Sequence, residues 1–109
     1  MRELSIKFHI YRKLLSKYKR STNLFHAINL QVLLISFVEG KPIIFPELNG
    51  LRAFFHYPHH RSCIKQLISL GYIEKVRGKK YKLTLKGVNL CQEFMNEFKR
   101  GLQKYNIEI

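Results

Sequence analysis

Leu4, Phe8, Tyr11, Leu14, Leu15 and Tyr18 return at a helical period and predict a first amphipathic helix from residue 2 to about 20. Arg2, Lys7, Arg12, Lys13, Lys17, Lys19 and Arg20 lie between them. Ser21-Thr22-Asn23 reads as a break that offers an N-cap to the second helix. Leu24 to about Glu39 is apolar on most sides, which suits a central helix, and Gly40 supplies its stop. Lys41-Pro42-Ile43-Ile44-Phe45 is too short for a helix and β-branched, so it predicts a brief strand that begins after Pro42 or lies at a sheet edge. Pro46 and Glu47 suit a helix entry. Leu48, Leu51 and Phe55 then share a face of a third, short helix, which Gly50 weakens by about 1 kcal/mol.

From Tyr57 to Gly87 the pattern changes twice. Pro58 fits the first turn of a helix, Ile64, Leu67 and Ile68 recur at helical spacing, and Gly71 is the stop just past Leu70. Tyr72 to Arg77 and Lys80 to Leu85 alternate apolar with polar around Gly78-Lys79, the signal of a hairpin. Thr84 can cap the next helix through its side-chain oxygen. A last helix runs from Leu85 to about Lys104, with Cys91, Phe94, Met95, Phe98, Leu102 and Tyr105 on its apolar face, and Asn106 to Ile109 reads as a frayed end. The pattern is that of a mainly α protein with one small β-hairpin.

Charge sharpens the picture. The 109 residues fit one domain, and 46% hydrophobic with 25% charged residues is a globular composition. Lys and Arg number 20 against 7 Asp and Glu, a net +13. Such a field draws polyanions, nucleic acid first, with an anionic membrane surface or an acidic protein second. No run approaches the roughly 20 apolar residues that span a bilayer, so no membrane-spanning segment is expected; with nucleic acid the first candidate on charge, no membrane partner is expected. Met1 to Ser5 leads into charged sequence, which is not a signal-peptide pattern. Cys63 and Cys91 fall inside predicted helices and read as reduced core residues of an intracellular, cytoplasmic protein.

A helix followed by a basic-tipped hairpin is the working end of a winged helix. The order helix, short strand, short helix, helix, hairpin, helix over residues 24 to 95 resembles the winged helix-turn-helix of bacterial transcription regulators, particularly the MarR-like group. The local matches are Leu67-Ile68-Ser69-Leu70-Gly71-Tyr72-Ile73, similar to that group's recognition-helix exit, and Leu83-Thr84-Leu85-Lys86-Gly87, similar to its Leu-Thr-x-x-Gly after the wing. Its wings usually carry an Asp-x-Arg pair, where this chain has Arg77-Gly78-Lys79-Lys80. The resemblance implies one winged-helix domain over 1–109, with an extra helix at each terminus: an N-terminal arm (1–23), a winged-helix core (24–87) and a C-terminal helix (85–105).

On that reading the helix from Pro58 lies in the major groove of double-stranded DNA. Steps of 100° turn His60, Cys63, Ile64, Leu67 and Leu70 inward, and His59, Arg61, Ser62, Lys65, Gln66 and Ser69 outward. Arg61 suits guanine, Gln66 suits adenine, and Ser62 suits a phosphate or either base. Arg77, Lys79 and Lys80, with Lys82 nearby, suit the backbone or minor groove. The blander alternative is a solvated basic helix face and a solvated hairpin tip. The same fold also serves protein-interaction or nonspecific nucleic-acid-binding modules in replication or conjugation assemblies; a protein-binding version needs apolar anchors on the outward face of that helix, where this chain has polar and basic residues.

The terminal stripes are either plain core or the interface of a homodimer, with Leu4, Phe8, Tyr11, Leu15, Phe98, Leu102 and Tyr105 as its residues. Phe8, Tyr11, Phe94 and Phe98 can line a small-molecule effector pocket, and an aromatic core explains them equally well. His56, His59, His60 and Cys63 have a spacing that invites a metal or, below pH about 6.5, added positive charge. Turn and core histidines are the simpler account, so neither metal nor cofactor is expected. Glu3, Glu39, Glu47, Glu74, Glu93, Glu97 and Glu108 are scattered and there is no Asp, which gives no paired-carboxylate or two-metal site, and catalysis is not expected.

Overall fold

A computed structural model of the chain describes residues 2–22, 27–44, 60–78 and 80–107. Its elements, in order, are α1 (Arg2–Thr22), α2 (Ala27–Glu39), β1 (Ile43–Ile44), α3 (His60–Ser69), β2 (Ile73–Arg77), β3 (Lys80–Leu83) and α4 (Leu85–Gln103). The expected short helix carrying Leu48, Leu51 and Phe55 lies outside the described residues.

The two longest helices pack against each other in antiparallel sense. Tyr18 of α1 meets Phe94 of α4 edge-on at 5.2 Å between ring centroids, and Tyr11 meets Phe94 at 5.8 Å and Phe98 at 6.1 Å. One turn further on, Gly101 faces Ile10, whose methyl carbon would stand 2.9 Å from a Cβ at residue 101. The helices therefore approach closely where α4 has no side chain. Against this pair lies α2, with Leu30, Val32, Leu33 and Leu34 buried. Full burial of Leu30, Leu33 and Leu67 stabilises the fold by about 1.5–3 kcal/mol each.

Ser21 and Thr22 do not break the first helix. Both hydroxyls donate back to the Tyr18 carbonyl, so α1 runs on through Thr22. At the far end of α2, Ser36 Oγ donates to the Lys41 carbonyl at 2.7 Å, and the chain passes through Pro42 into β1. The strand is antiparallel to β3, pairing Ile43 with Tyr81 and Ile44 with Lys80. The sheet order is β1-β3-β2, so β1 is an edge, which is where a preceding proline is tolerated. The hairpin strands are shorter than the alternation predicts, because Tyr72 is drawn into the core and Thr84 is taken as a helix cap.

Of the expected frayed end, residues 108 and 109 lie outside the described residues, and 106 and 107 depart from expectation. Asn106 adopts a left-handed conformation (φ 57°), its N–H bonds the Gln103 carbonyl, and the Ile107 N–H bonds the Leu102 carbonyl. This pairing closes the end of α4, and Ile107 is buried. Residues 106 and 107 are thus an ordered cap, not a frayed tail.

Candidate nucleic-acid interface

The junction of α3 with the hairpin is built by three local devices. At the end of α3, the Gly71 N–H bonds the Ile68 carbonyl and the Tyr72 N–H bonds the Leu67 carbonyl, both at 2.9 Å. That left-handed cap needs φ near +83° at residue 71, which glycine supplies without a Cβ penalty. Thr84 then links the hairpin's exit to the same turn. Its Oγ1 accepts from the Gly87 N–H at 3.2 Å and donates to the Gly71 carbonyl, while its own N–H bonds the Tyr72 carbonyl at 3.0 Å. Lys86 completes the joint, with Nζ 2.7 Å from the Leu70 carbonyl and 4.8 Å from the centroid of the Tyr72 ring.

Cross-strand pairs set which side chains the hairpin presents. Ile73 pairs with Leu83, Glu74 with Lys82, Lys75 with Tyr81 and Arg77 with Lys80, and the extra residue Val76 makes a bulge. Ile73 is buried, whereas Glu74, Lys75, Val76, Arg77, Lys80 and Lys82 are exposed. Lys82 and Glu74 form an ion pair at 3.3 Å. Lys75, Arg77 and Lys80 have no ion pair among the described residues, so they stand as unneutralised cations on the hairpin. Lys79 lies outside the described residues.

On α3, Ile64 and Leu67 are buried and Leu70 is half-buried, as the helical steps require. Lys65 and Ser69 are exposed. Arg61 and Ser62 fall on the first turn of the helix, but their side chains, with those of His60 and Cys63, lie outside the described set, as do His56 and His59 altogether. Gln66 does not point outward. It is half-buried, and its Oε1 accepts from Nδ2 of Asn29, a buried amide on α2. Asn29 thereby engages the oxygen that would accept from an adenine amino group. The angular steps put Gln66 at the margin of the outer face, and the α2 contact decides which side it takes.

The residues assigned to a dimer interface divide. Leu15 and Leu102 belong to the core of the single chain, and Tyr11 and Phe98 are half-buried by their mutual ring contact. Leu4, Phe8 and Tyr105 are exposed, at 63%, 59% and 55%. Periodicity identifies an apolar face, and here the α1–α4 contact covers only part of it.

Sequence reasoning also missed the role of Glu97. Its carboxylate takes a 2.7 Å hydrogen bond from Lys17 Nζ and lies against the buried Tyr18 hydroxyl. The Lys17 hydrogen bond, helped by Tyr18, holds the Glu97 pKa below its ordinary value, while burial and the neighbouring carboxylate push the Tyr18 phenol up. Burial pushes the Cys91 thiol to about 12, which makes it an inert core group. Among the described residues, no helix is long and apolar enough to cross a membrane. No family model, no curated protein and no solved structure matches this chain.

Proposed function

We propose that the protein binds double-stranded DNA as a small winged-helix regulator of transcription, with α3 in the major groove and the β2–β3 hairpin on the backbone or in the minor groove. One observation carries the reading: α3 passes through a tight left-handed cap into a hairpin whose exposed face is basic, on a sheet ordered β1-β3-β2. Rigid attachment matters because a reading helix and a backbone clamp must hold one register together. The roles are Arg61, Ser62 and Lys65 at base edges or nearby phosphates, and Arg77, Lys79 and Lys80 at phosphates. His59 would join the first set. Gln66 positions α3 against α2 through Asn29 and reads no adenine in this arrangement.

Selection from a random duplex pool at about 0.15 M salt tests the proposal, because phosphate attraction alone is weakened there. An enriched motif, whose binding falls with Arg61→Ala or Lys65→Ala, is the expected result. Lys80→Ala should weaken binding to all duplexes and lower the salt slope by about 0.9. A pool without enrichment would sink sequence reading.

A second reading rests on Ile68 and Val76, which are 42% and 54% exposed on α3 and β2. Apolar anchors at these positions suit a winged-helix module that docks on another protein. Duplex selection that yields nothing, with the fold intact, favours this reading over the first.

A further inference from the structure

The apolar stripe of α1 runs past the helices that cover it. Leu15 and Tyr18, in its second half, are buried, but Phe8 and Leu4, one and two turns before Tyr11, are mostly exposed. The end of α2, at Glu39, lies beside Tyr11 and Phe98 and does not extend over them. Cations stand next to this bare segment. By steps of 100°, Arg2, His9, Arg12, Lys13 and Arg20 share the outward face that adjoins Phe8, and all are exposed. Glu3, the only acid of α1, lies on the other side and is held by Lys7 at 3.5 Å. Arg2, Arg12, Lys13 and Arg20 have no ion pair among the described residues. Arg12 instead rides on the Phe8 ring, 5.8 Å from its centroid. Phe8, Arg12 and Lys13, with Ser5, His9 and Ser16, border a shallow open depression whose polar side chains can all donate a hydrogen bond. The antiparallel α4, with Gly101 facing Ile10, brings the exposed Lys99 and Lys104 to the same end.

Bare apolar side chains set against unpaired cations call for a partner that satisfies both. Nucleic-acid phosphates engage the cations and leave Leu4 in water. An anionic bilayer takes the apolar pair at its acyl boundary and the cations at its headgroups. We propose that the amino-terminal half of α1 is a docking surface for anionic lipid bilayers, with Leu4 and Phe8 inserted and Arg2, Arg12 and Lys13 on lipid phosphates. A helix that lies in the plane of the interface needs no bilayer-spanning run, so the lack of one does not bear on this mode. It needs a long rod with one face free. The 21 residues of α1 supply about 31 Å of rod, packed by α2 and α4 on the other side only. Two inserted side chains and a basic face give reversible attachment, not a permanent anchor.

The chain contains no Trp, so Phe8→Trp places a single indole at the point of insertion. With vesicles of phosphatidylcholine and phosphatidylglycerol in equal parts, at about 0.15 M salt, its emission should shift to the blue. With pure phosphatidylcholine it should not. In co-sedimentation with the same anionic vesicles, Phe8→Ala and Leu4→Ser should each lower affinity about tenfold. Arg12→Ala and Lys13→Ala should each lower it about fivefold. These side chains are exposed, so the circular dichroism spectrum should stay unchanged. A chain that ignores anionic vesicles overturns the proposal. So does binding that falls with the cation variants but is indifferent to Phe8→Ala and Leu4→Ser, the mark of charge attraction alone. An indole already blue-shifted without vesicles also overturns it, because another protein surface then covers Phe8. The DNA reading fails or stands separately: a chain that docks on vesicles and selects no duplex leaves this surface standing, and one that selects a duplex and ignores vesicles leaves the DNA reading standing.

Discussion

Thr84 reaches across the joint to Gly71, thirteen residues earlier, donating its hydroxyl to the glycine carbonyl at 2.5 Å while accepting the Gly87 N–H. One side chain thus caps α4 and ties it to the end of α3.

Thr84→Ala removes both bonds. Loss of the cap and an unpaired, part-buried carbonyl at Gly71 should together lower unfolding free energy by about 1–2 kcal/mol. Thr84→Ser keeps the hydroxyl and should cost less. Urea denaturation of the two variants measures the difference, and equal losses would show that the methyl group, not the hydroxyl, carries the effect.

Gly87→Ala should be worse. A Cβ at this position would collide with the Tyr72 carbonyl oxygen and stand 3.2 Å from its carbon, and both are backbone atoms held by the Thr84 N–H and the α3 cap. Nothing there yields cheaply, so about 3 kcal/mol is expected, at the upper end of overpacking costs. A loss smaller than that of Thr84→Ala in the same urea series would contradict the close approach.

Acid should loosen the α1–α4 contact through Glu97. The folded state lowers the Glu97 pKa, chiefly through Lys17, so the unfolded chain binds the proton more readily. The contribution is present above the ordinary carboxyl value of 4.5 and is lost as pH falls through the lower folded value. In melting curves taken at falling pH, wild type should converge towards Glu97→Gln below pH 4.5. A constant gap between them would exclude the ion pair as its source.

Ile107→Ala should lower stability by about 2 kcal/mol, the low end for a buried large-to-small change at a chain end. A frayed tail would show no change, so thermal melts of this variant decide between the two.

How much of the molecule is legible in its pattern depends on the range of each signal. Gly71, Thr84 and the hairpin that pairs Arg77 with Lys80 are local chemistry, and the structure places the two caps and that pairing where the turn rules put them. Periodicity likewise locates α1, α2, α3 and α4 within a few residues. It cannot say what covers each face. Leu15 and Leu102 are consumed inside the chain while Leu4 and Phe8 on the same stripe are not, because that depends on where α2 ends. Angular steps misplace Gln66 for a related reason: a buried Asn29 on another helix, 37 positions earlier, draws it inward. Ile107 comes after a single left-handed asparagine and belongs to no periodic run, so only the backbone reveals its burial.

The joint made by Gly71, Thr84, Gly87 and Lys86 leaves little slack between α3 and α4. Nineteen residues of α4 make a stiff rod of about 28 Å, so a tilt of about 5° at one end displaces the other by about 2.5 Å. The contacts of Phe94, Glu97 and Gly101 with α1 hold that rod along its length, so α1 and α4 together fix the attitude of α3 and the hairpin.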